Sequence, residues 1–457
     1  MIYSTFFAKK RLVIVIFSKL RYNNYINFFF VGEAMAKSYR GGIPFNRKYA
    51  PPEGAVDHTP EHIFLSLQNG AECSLSEGDT VRKYGKILSH TESTPAVFAG
   101  VGGKVERVYR IGGRVDITLL TDANAEVEEP FDAPEKSIAD MTEAELSALL
   151  LERGISPLKK GKRDPRNLTV DCGGSLYNDS RLYICRVFPE KVVLGAKIIM
   201  KLIGARTCNF AIPSSDLEAA ESVYGSMPKK SDMFGIVLIK DKLPATVPNL
   251  TLSALYNVEI SSAKDIFDAG YPVVSPLTCL SCYQALVEGI PFTSGFLTVA
   301  EMNGEVDVFS VPFGSPVKAV AAPRDGERVI RAENLFGAEV TSEVMTERTE
   351  ALAVMPLEPV KEKVTSECIS CRRCYDVCPA CISPIDIFSK VRDGKADSSL
   401  ALYAASCFEC RSCTYVCPSD IPLAEAVIKL RRESGLVSVE IDGEDPDFYD
   451  EEAENEQ

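Results

Sequence analysis

Tryptophan is absent from this 457-residue chain, and only three histidines occur, His58, His62 and His90. Catalysis built on imidazole is therefore poorly supplied. No GxGxxG and no GxxxxGK[ST] occurs anywhere, which removes the ordinary nucleotide fingerprints. Long apolar runs are missing too. The stretch that precedes Met35 is basic and aromatic, but its LVIVIF run is interrupted at once by Ser18 and Lys19. A transmembrane helix would need about 20 apolar positions, and a secretory signal would need a longer apolar stretch with a small-residue cleavage site. The formal net charge of −14 argues against a nucleic-acid partner.

Cysteine is what the chain has in excess, with a count of 15. With no secretory signal, they point to a reducing cytoplasm in which thiolates stay free for metal. Near the C-terminus the chain reads CISCRRCYDVCPACISP from Cys368, and then nearly repeats itself as CFECRSCTYVCPSDIPL from Cys407. Both runs follow CxxCxxCxxxCP. Three thiolates two residues apart on a tight loop can converge on three corners of a 4Fe-4S cube, and the fourth, turned away by its proline, reaches the neighbouring cluster. The pattern assigns Cys368, Cys371, Cys374 and Cys417 to one cluster, and Cys407, Cys410, Cys413 and Cys378 to the other. Zinc sites usually pair two short knuckles, and this run packs too many thiolates for one tetrahedral ion. Disulfide frameworks belong to short secreted chains.

Elsewhere the patterning is mixed. EGDTVRKYGKILSH and the alternating KVERVYRI and RVDITLL read as short strands. They look like a barrel-sandwich hybrid of the biotinyl and lipoyl type, but the hairpin stretch HTESTPAV lacks the modifiable lysine of such carriers. DMTEAELSALLLER is helical, with Thr142 or Asp140 as N-cap. EKVVLGAKIIMKLIGA is an apolar helix ending at Gly204, and with TCNFAIP, SDLEAAESVYG and FGIVLIK it suggests an α/β unit with parallel strands. From about Leu250 to Ala322 strand-like runs separated by turns suggest a β-rich domain. Cys279 and Cys282 form one further CxxC, with Cys172 and Cys185 as candidate partners, and Cys381 is an extra thiol beside the first motif. Buried thiols on a turn, and a packed small residue at Cys381, are the expectations there. The tail SVEIDGEDPDFYDEEAENEQ holds ten carboxylates and no Lys or Arg, the composition of a solvated, disordered end.

The paired motifs, in SECISCRRCYDVCPACISP and SCFECRSCTYVCPSDIPLAEAV, resemble those of the RnfC family, the C subunits of the Rnf/Rsx ion-translocating electron-transport complex. The resemblance extends from Lys37 to Glu433 through RGGIPF, NGAECSLSEGDTVRKYGKIL, DIFDAGYPV, GIPFTSGFLTVA and VPFGSPVKAV. It implies a multidomain α/β and β protein. The expected divisions are a mis-assigned start or leader over 1–34, with Met35 as the beginning in preference to an interfacial anchor, and a barrel-sandwich hybrid over 35–125. A flavoprotein-like α/β domain resembling that of respiratory complex I follows over 126–249, then a soluble-ligand-binding β-grasp (SLBB) module over 250–325. A connector over 326–358, an α-helical ferredoxin-like two-cluster domain over 359–436 and a disordered acidic tail over 437–457 complete the chain.

The central domain of that family resembles the flavoprotein subunit of respiratory complex I, which binds FMN through a GGAGFP loop and takes hydride from NADH. Here the corresponding place reads RGISPLKKGKRDPRN, the segment resembling NGAECEP reads VDCGGSLYNDSRL, and no YPQGGEK-like stretch precedes LTLSALYN. Without close-approach glycines the expectation is no bound FMN. Arg372 and Arg411 replace the glycine that relatives commonly place after the second cysteine of a motif. With Arg373 they are expected to set positive charge beside the clusters. The implied function is electron transfer through two 4Fe-4S clusters, with ferredoxin-like redox partners and membrane-embedded subunits, in the cytoplasm or peripheral on the inner face of the cell membrane. The alternatives are a flavin-dependent NAD(P)H:acceptor oxidoreductase resembling cobalamin reductases, and a non-enzymatic redox scaffold or sensor.

Overall fold

A computed structural model describes residues 36–435 apart from 46–51, 68–72, 135, 157, 159–160, 166, 175–178, 230–231, 245–246, 263, 302–303, 322–327, 333–342 and 357–364. The expected leader and acidic tail lie outside the described residues. The chain divides into two compact units, one of Met1–Ile260 with Ile266–Glu362, the other of Ser261–Asp265 with Lys363–Gln457.

In the larger unit two short strands, β1 (Ile43–Pro44) and β2 (Ala55–Asp57), find partners far along the sequence. Then β3 (His62–Leu67), β4 (Thr80–Val81), β5 (Lys86–Leu88), β6 (Val97–Phe98), β7 (Gly103–Ile111) and β8 (Arg114–Thr121) make an antiparallel sheet in the order β3-β8-β7-β4 and a β5-β6 ribbon. Alternation decides which face is buried: Val105, Val115, Ile117 and Leu119 point into one core with Ile63 and Val81. Gly112 and Gly113, at φ 56 and 89, close the β7-β8 hairpin, the backbone that a type I′ turn demands.

Helix α1 (Glu143–Glu152) opens on Thr142, whose side chain accepts from the Glu145 amide while Glu145 answers the Thr142 amide. This capping box satisfies two otherwise orphaned donors. Next come β9 (Asn167–Asp171), α2 (Ser180–Val187), α3 (Pro189–Ile203), β10 (Thr207–Pro213), α4 (Leu217–Ser226), β11 (Phe234–Ile239), β12 (Lys242–Leu243), α5 (Pro248–Tyr256), β13 (Val273–Val274) and α6 (Pro276–Tyr283). Strands β9, β10, β11 and β13 form a parallel sheet in the order β11-β10-β9-β13. Helix α3 ends at left-handed Gly204, as its sequence predicts. It crosses α6 so closely that a Cβ on Gly195 would lie 1.8 Å from the Cys279 carbonyl oxygen.

The span from about Leu250, which reads as β-rich, thus opens with two helices and a strand that extends the parallel sheet. The apolar faces of LTLSALY and PLTCLSCY are buried, the second against the α/β core, and that burial outweighs local strand propensity. Beyond it β14 (Ser294–Glu301), β15 (Val306–Pro312), α7 (Val317–Val320), β16 (Arg328–Ala332) and β17 (Ala351–Pro356) build a mixed sheet in the order β16-β17-β14-β15-β2.

Among the described residues the smaller unit holds five helices: α8 (Arg373–Val377), α9 (Pro384–Arg392), α10 (Ser398–Ala404), α11 (Ser412–Tyr415) and α12 (Leu423–Glu433). Helices α9 and α12 begin at the same offset that relates Cys368 to Cys407, so each cysteine motif is followed by an equivalent helix. They pack together over Ile387, Leu400, Ala404, Val427 and Leu430, with Cys378 in the same cluster.

Candidate metal centres

The two motifs share one backbone. Ser370 and Arg372 in the first loop have φ 55 and 62, and Glu409 and Arg411 in the second have φ 52 and 55. Cys381 and Asp420, which follow the fourth cysteines Cys378 and Cys417, have φ 56 and 49. Each of these pairs is related by the offset from Cys368 to Cys407. Left-handed conformation disfavours any residue with a Cβ, so its recurrence at the same three places marks a shape that the loops require. One result is the direction of the amides. The Ser370 amide donates to Cys368 Sγ at 3.4 Å, and the Glu409 amide to Cys407 Sγ at 3.3 Å. Donors aimed at sulfur favour the ionised thiolate that metal ligation needs. Glycine is the residue for which this conformation is cheapest; here arginine adopts it.

After each loop a short helix delivers the third thiol, Cys374 on α8 and Cys413 on α11, and an amide-to-carbonyl bond of 3.2 Å closes each turn at Cys378 and Cys417. Burial pushes the Cys378 thiol up to about 11, with Cys410 and Cys381 adding repulsion. Cys407 is pushed to about 12 by burial, with Cys410 and Cys378 beside it. Cys413 moves up for the same reasons, its thiol neighbours being Cys410, Cys407 and Cys378. Cys378 and Cys407 share one apolar cluster, and the charge of Cys378 acts on both Cys407 and Cys413. In the other set, Cys374 is buried, has Cys371 as a thiol neighbour, and shares a small apolar cluster with Cys417, Cys413, Ile421 and Leu423. Cys368 and Cys371 are exposed. Among the described residues no three His, Cys, Asp or Glu side chains are placed to hold a single metal ion.

Charge around the loops differs from the expectation. Arg411 pairs with Glu425 at 3.2 Å, and Glu409 binds both Arg431 and, at 3.0 Å, Arg432. Arg372 and Arg373 are exposed. Arg411, Arg431 and Arg432 thus face two carboxylates at the second loop, while Arg372 and Arg373 make no ion pair among the described residues. Arg431 is buried, with its Nε lacking a hydrogen-bond partner among the described residues. Nothing in the sequence marked it except its place on an amphipathic helix.

In the larger unit, the described part of the RGISPLKKGKRDPRN stretch packs against the chain's own residues 267–270. Gly161 abuts the Phe267 carbonyl, where a Cβ would come within 1.8 Å, and Lys162 pairs with Asp268 at 3.0 Å. Lys159 and Lys160 lie outside the described residues. Beyond the carboxyl ends of β9, β10 and β11, the position where open α/β sheets bind ligands, the chain's own residues 36–45 run past. The Lys242 amine donates to the carbonyls of Tyr39 and Gly41 at 3.0 and 2.9 Å, and Tyr39 Oη donates to Pro244 O at 2.9 Å. A cavity of about 30 Å³ remains, bordered by Asp171, Gly173 and Thr251, with room for no more than a few waters. Asp171 is buried against Arg181, which also binds Glu350 at 2.7 Å.

Cys172, Cys185, Cys208, Cys279 and Cys282 are fully buried in the α/β core. The expected turn around the CxxC is instead helix α6, because Ser275 caps it and Pro276 opens it. Burial pushes Cys282 up to about 12 and Cys172 and Cys279 well above the ordinary thiol range. Such thiols stay neutral and unreactive.

A 4Fe-4S dicluster domain matches residues 367–421. The C subunit of the Na(+)-translocating ferredoxin:NAD(+) oxidoreductase complex of Acetobacterium woodii is 25% identical over 385 residues, spanning 77% of this chain and 86% of that protein. The chain is similar to RnfC-type subunits. The corresponding C subunit of the Proton-translocating ferredoxin:NAD(+) oxidoreductase complex of Clostridium ljungdahlii is 22% identical over 387 residues, 77% of this chain and 83% of that one. Among solved structures, an NAD+-reducing [NiFe]-hydrogenase in the H2-reduced state aligns with TM-score 0.40 and 11% identity, over 67% of this chain and 64% of that one.

Proposed function

We propose that this chain is an electron-transport subunit of the RnfC type that carries electrons through two 4Fe-4S clusters. The observation that carries the reading is the repeated loop backbone, left-handed at the same offsets and aiming an amide at the first thiol of each motif. Each cluster, when bound, supplies a one-electron acceptor and donor. The ligand sets are Cys368, Cys371, Cys374 and Cys417 for one cluster and Cys407, Cys410, Cys413 and Cys378 for the other. The thiol neighbours of Cys378, Cys407 and Cys413 support the second set. The amides beside the cysteines favour ligand charge, burial opposes it, and both tune potential.

Around this module we assign the barrel-sandwich hybrid to 35–125, the flavoprotein-like domain to 126–249 completed by β13 and α6, and the SLBB module to the part of 250–325 that begins at β14. The relatives are named as subunits of ion-translocating complexes, so the proposed partners are membrane-embedded subunits of such a complex and a ferredoxin-like carrier. The corresponding location is cytoplasmic, peripheral on the inner face of the membrane. No helix among the described residues is long and apolar enough to cross a membrane.

Flavin is left out of this reading, since residues 36–45 run past the strand-end crevice and the loop at 161–165 packs on the 267–270 turn. Hydride from NADH needs a two-electron acceptor, and a cluster takes one electron at a time. Protein purified without oxygen is expected to hold no stoichiometric FMN and to resist reduction by NADH, while dithionite or a reduced ferredoxin reduces it. One FMN per chain with NADH bleaching at a catalytic rate would replace this reading by the flavoenzyme one. The names of the relatives, which include NAD(+), favour keeping that second reading under test.

A further inference from the structure

The repeat gives each residue beside one cluster loop a counterpart beside the other. Glu409 and Ser370 stand at the same left-handed place, each donating its amide to the first thiol of its motif. The same offset relates Arg431 on α12 to Arg392 on α9. Arg392 is exposed and pairs with the adjacent Asp393 at 3.1 Å. Arg431 is only 8% exposed. The Glu409 carboxylate holds its guanidinium, which also lies 3.5 Å from Ser262 Oγ. Ser262, in the 261–265 stretch of the same unit, has its hydroxyl 2.9 Å from the Ala405 carbonyl oxygen and 3.1 Å from that of Cys407. The second loop, α12 and residues 261–265 thus fix a buried cation whose charge favours the Cys407 thiolate. Its Nε has no partner among the described residues. Burial of a guanidinium is costly, and the equivalent helix of the first motif keeps its arginine in solvent, so the shared backbone does not demand it.

We propose that Arg431 is a positioning residue of the second cluster, a fixed buried charge, clamped by Glu409, that favours the reduced cluster and raises its potential. The inference rests on the proposed cluster ligated by Cys407, Cys410, Cys413 and Cys378, and it names what sets the potential of that site. An electron added to a cluster is a unit of negative charge, so a nearby cation stabilises the reduced form and a nearby anion opposes it. Other charges about the second loop do not substitute. Arg411 with Glu425 and Lys429 with Glu433 are exposed pairs of opposite sign, and Asp420 and Arg432, which shares Glu409, are exposed too. Solvent and salt screen such charges, whereas a buried one acts through a lower dielectric. Glu409 offsets part of the effect of Arg431, so removing either side chain should move one potential in opposite directions.

The test is a redox titration of the full chain, purified without oxygen and followed by electron paramagnetic resonance of its reduced clusters. The second cluster is the signal that Cys407→Ser removes or alters. Arg431→Gln is expected to lower the potential of that cluster by about 59 mV, a tenfold change in a one-electron equilibrium, and to leave the first cluster where it was. Glu409→Gln keeps the amide on Cys407 and frees Arg431 of its carboxylate, so it is expected to shift the same potential upward. Arg431→Lys retains the charge and is expected to stay within about twofold of the parent equilibrium, as is the exposed equivalent Arg392→Gln at either cluster. Iron is assayed on every sample. A parent chain without two four-iron clusters refutes the reading on which the inference rests, whereas a complete parent with an unmoved potential in Arg431→Gln overturns the inference alone. Shifts of the same sign in Arg431→Gln and Glu409→Gln also overturn it, since lost packing rather than charge would produce both. If Arg431→Gln sheds the second cluster, Glu409→Gln decides: an upward shift supports the proposal, and no shift or a downward one overturns it.

Discussion

Arg372 and Arg411 allow the cost of one backbone conformation to be measured twice in one molecule. A non-glycine residue in left-handed conformation costs roughly 1–2 kcal/mol, and glycine returns about 0.4–1 kcal/mol of that through the freedom it adds to the unfolded chain. Arg372→Gly is therefore expected to stabilise by up to about 1 kcal/mol in denaturant unfolding of the holoprotein. Arg411→Gly forfeits in addition an exposed ion pair worth about 0.2–1 kcal/mol, so its effect should lie near zero. A destabilising Arg372→Gly would contradict the strain argument. Arginine itself gives no sign of positive φ, so the sequence offers only the repeat of the cysteine motifs, which relates the two sites, and the glycine expected there from the resemblance. The thiols themselves were legible, since their spacing states the chemistry. Their pairing across motifs is testable by spectroscopy of two variants. Cys378→Ser should damage the cluster held mainly by the second motif, and Cys417→Ser the one held by the first. The reverse assignment in the two spectra would show that the ligands are not crossed.

At the scale of elements, the helices with strong signals stand where the sequence puts them, from the Thr142 cap to Gly204 at the end of α3. Long-range pairing was not legible. Periodicity gives a strand its faces but not its partner, so nothing in AVD predicts that β2 joins β15, or in VV that β13 extends the parallel sheet. The crossing of α3 and α6 was equally hidden, for a single glycine in an apolar helix reads as a weak helix former. Propensity alone would make Gly195→Ala stabilising by about 1 kcal/mol. Packing decides otherwise, because the new Cβ would meet the backbone of Cys279 at 1.8 Å, and overpacking of this kind costs about 1–3 kcal/mol. Net destabilisation is expected on thermal unfolding. A raised midpoint would show that the helices do not meet there.

For the molecule as a whole, the 4Fe-4S match covers residues 367–421, and similarity to the RnfC-type relatives spans most of the remainder. Similarity over 77% of the chain reaches beyond the cysteine block into the larger unit, where residues 36–45 pass the carboxyl ends of the parallel strands. That path depends on contacts of Lys242 with Tyr39 and Gly41, which lie far away in sequence, and no local pattern announces it. The account stands or falls on what the eight motif cysteines hold. Iron and acid-labile sulfide, determined on protein purified without oxygen, should come to about eight of each per chain, as two four-iron cubes with two reducible centres. A single cluster, or zinc in place of iron, would contradict it.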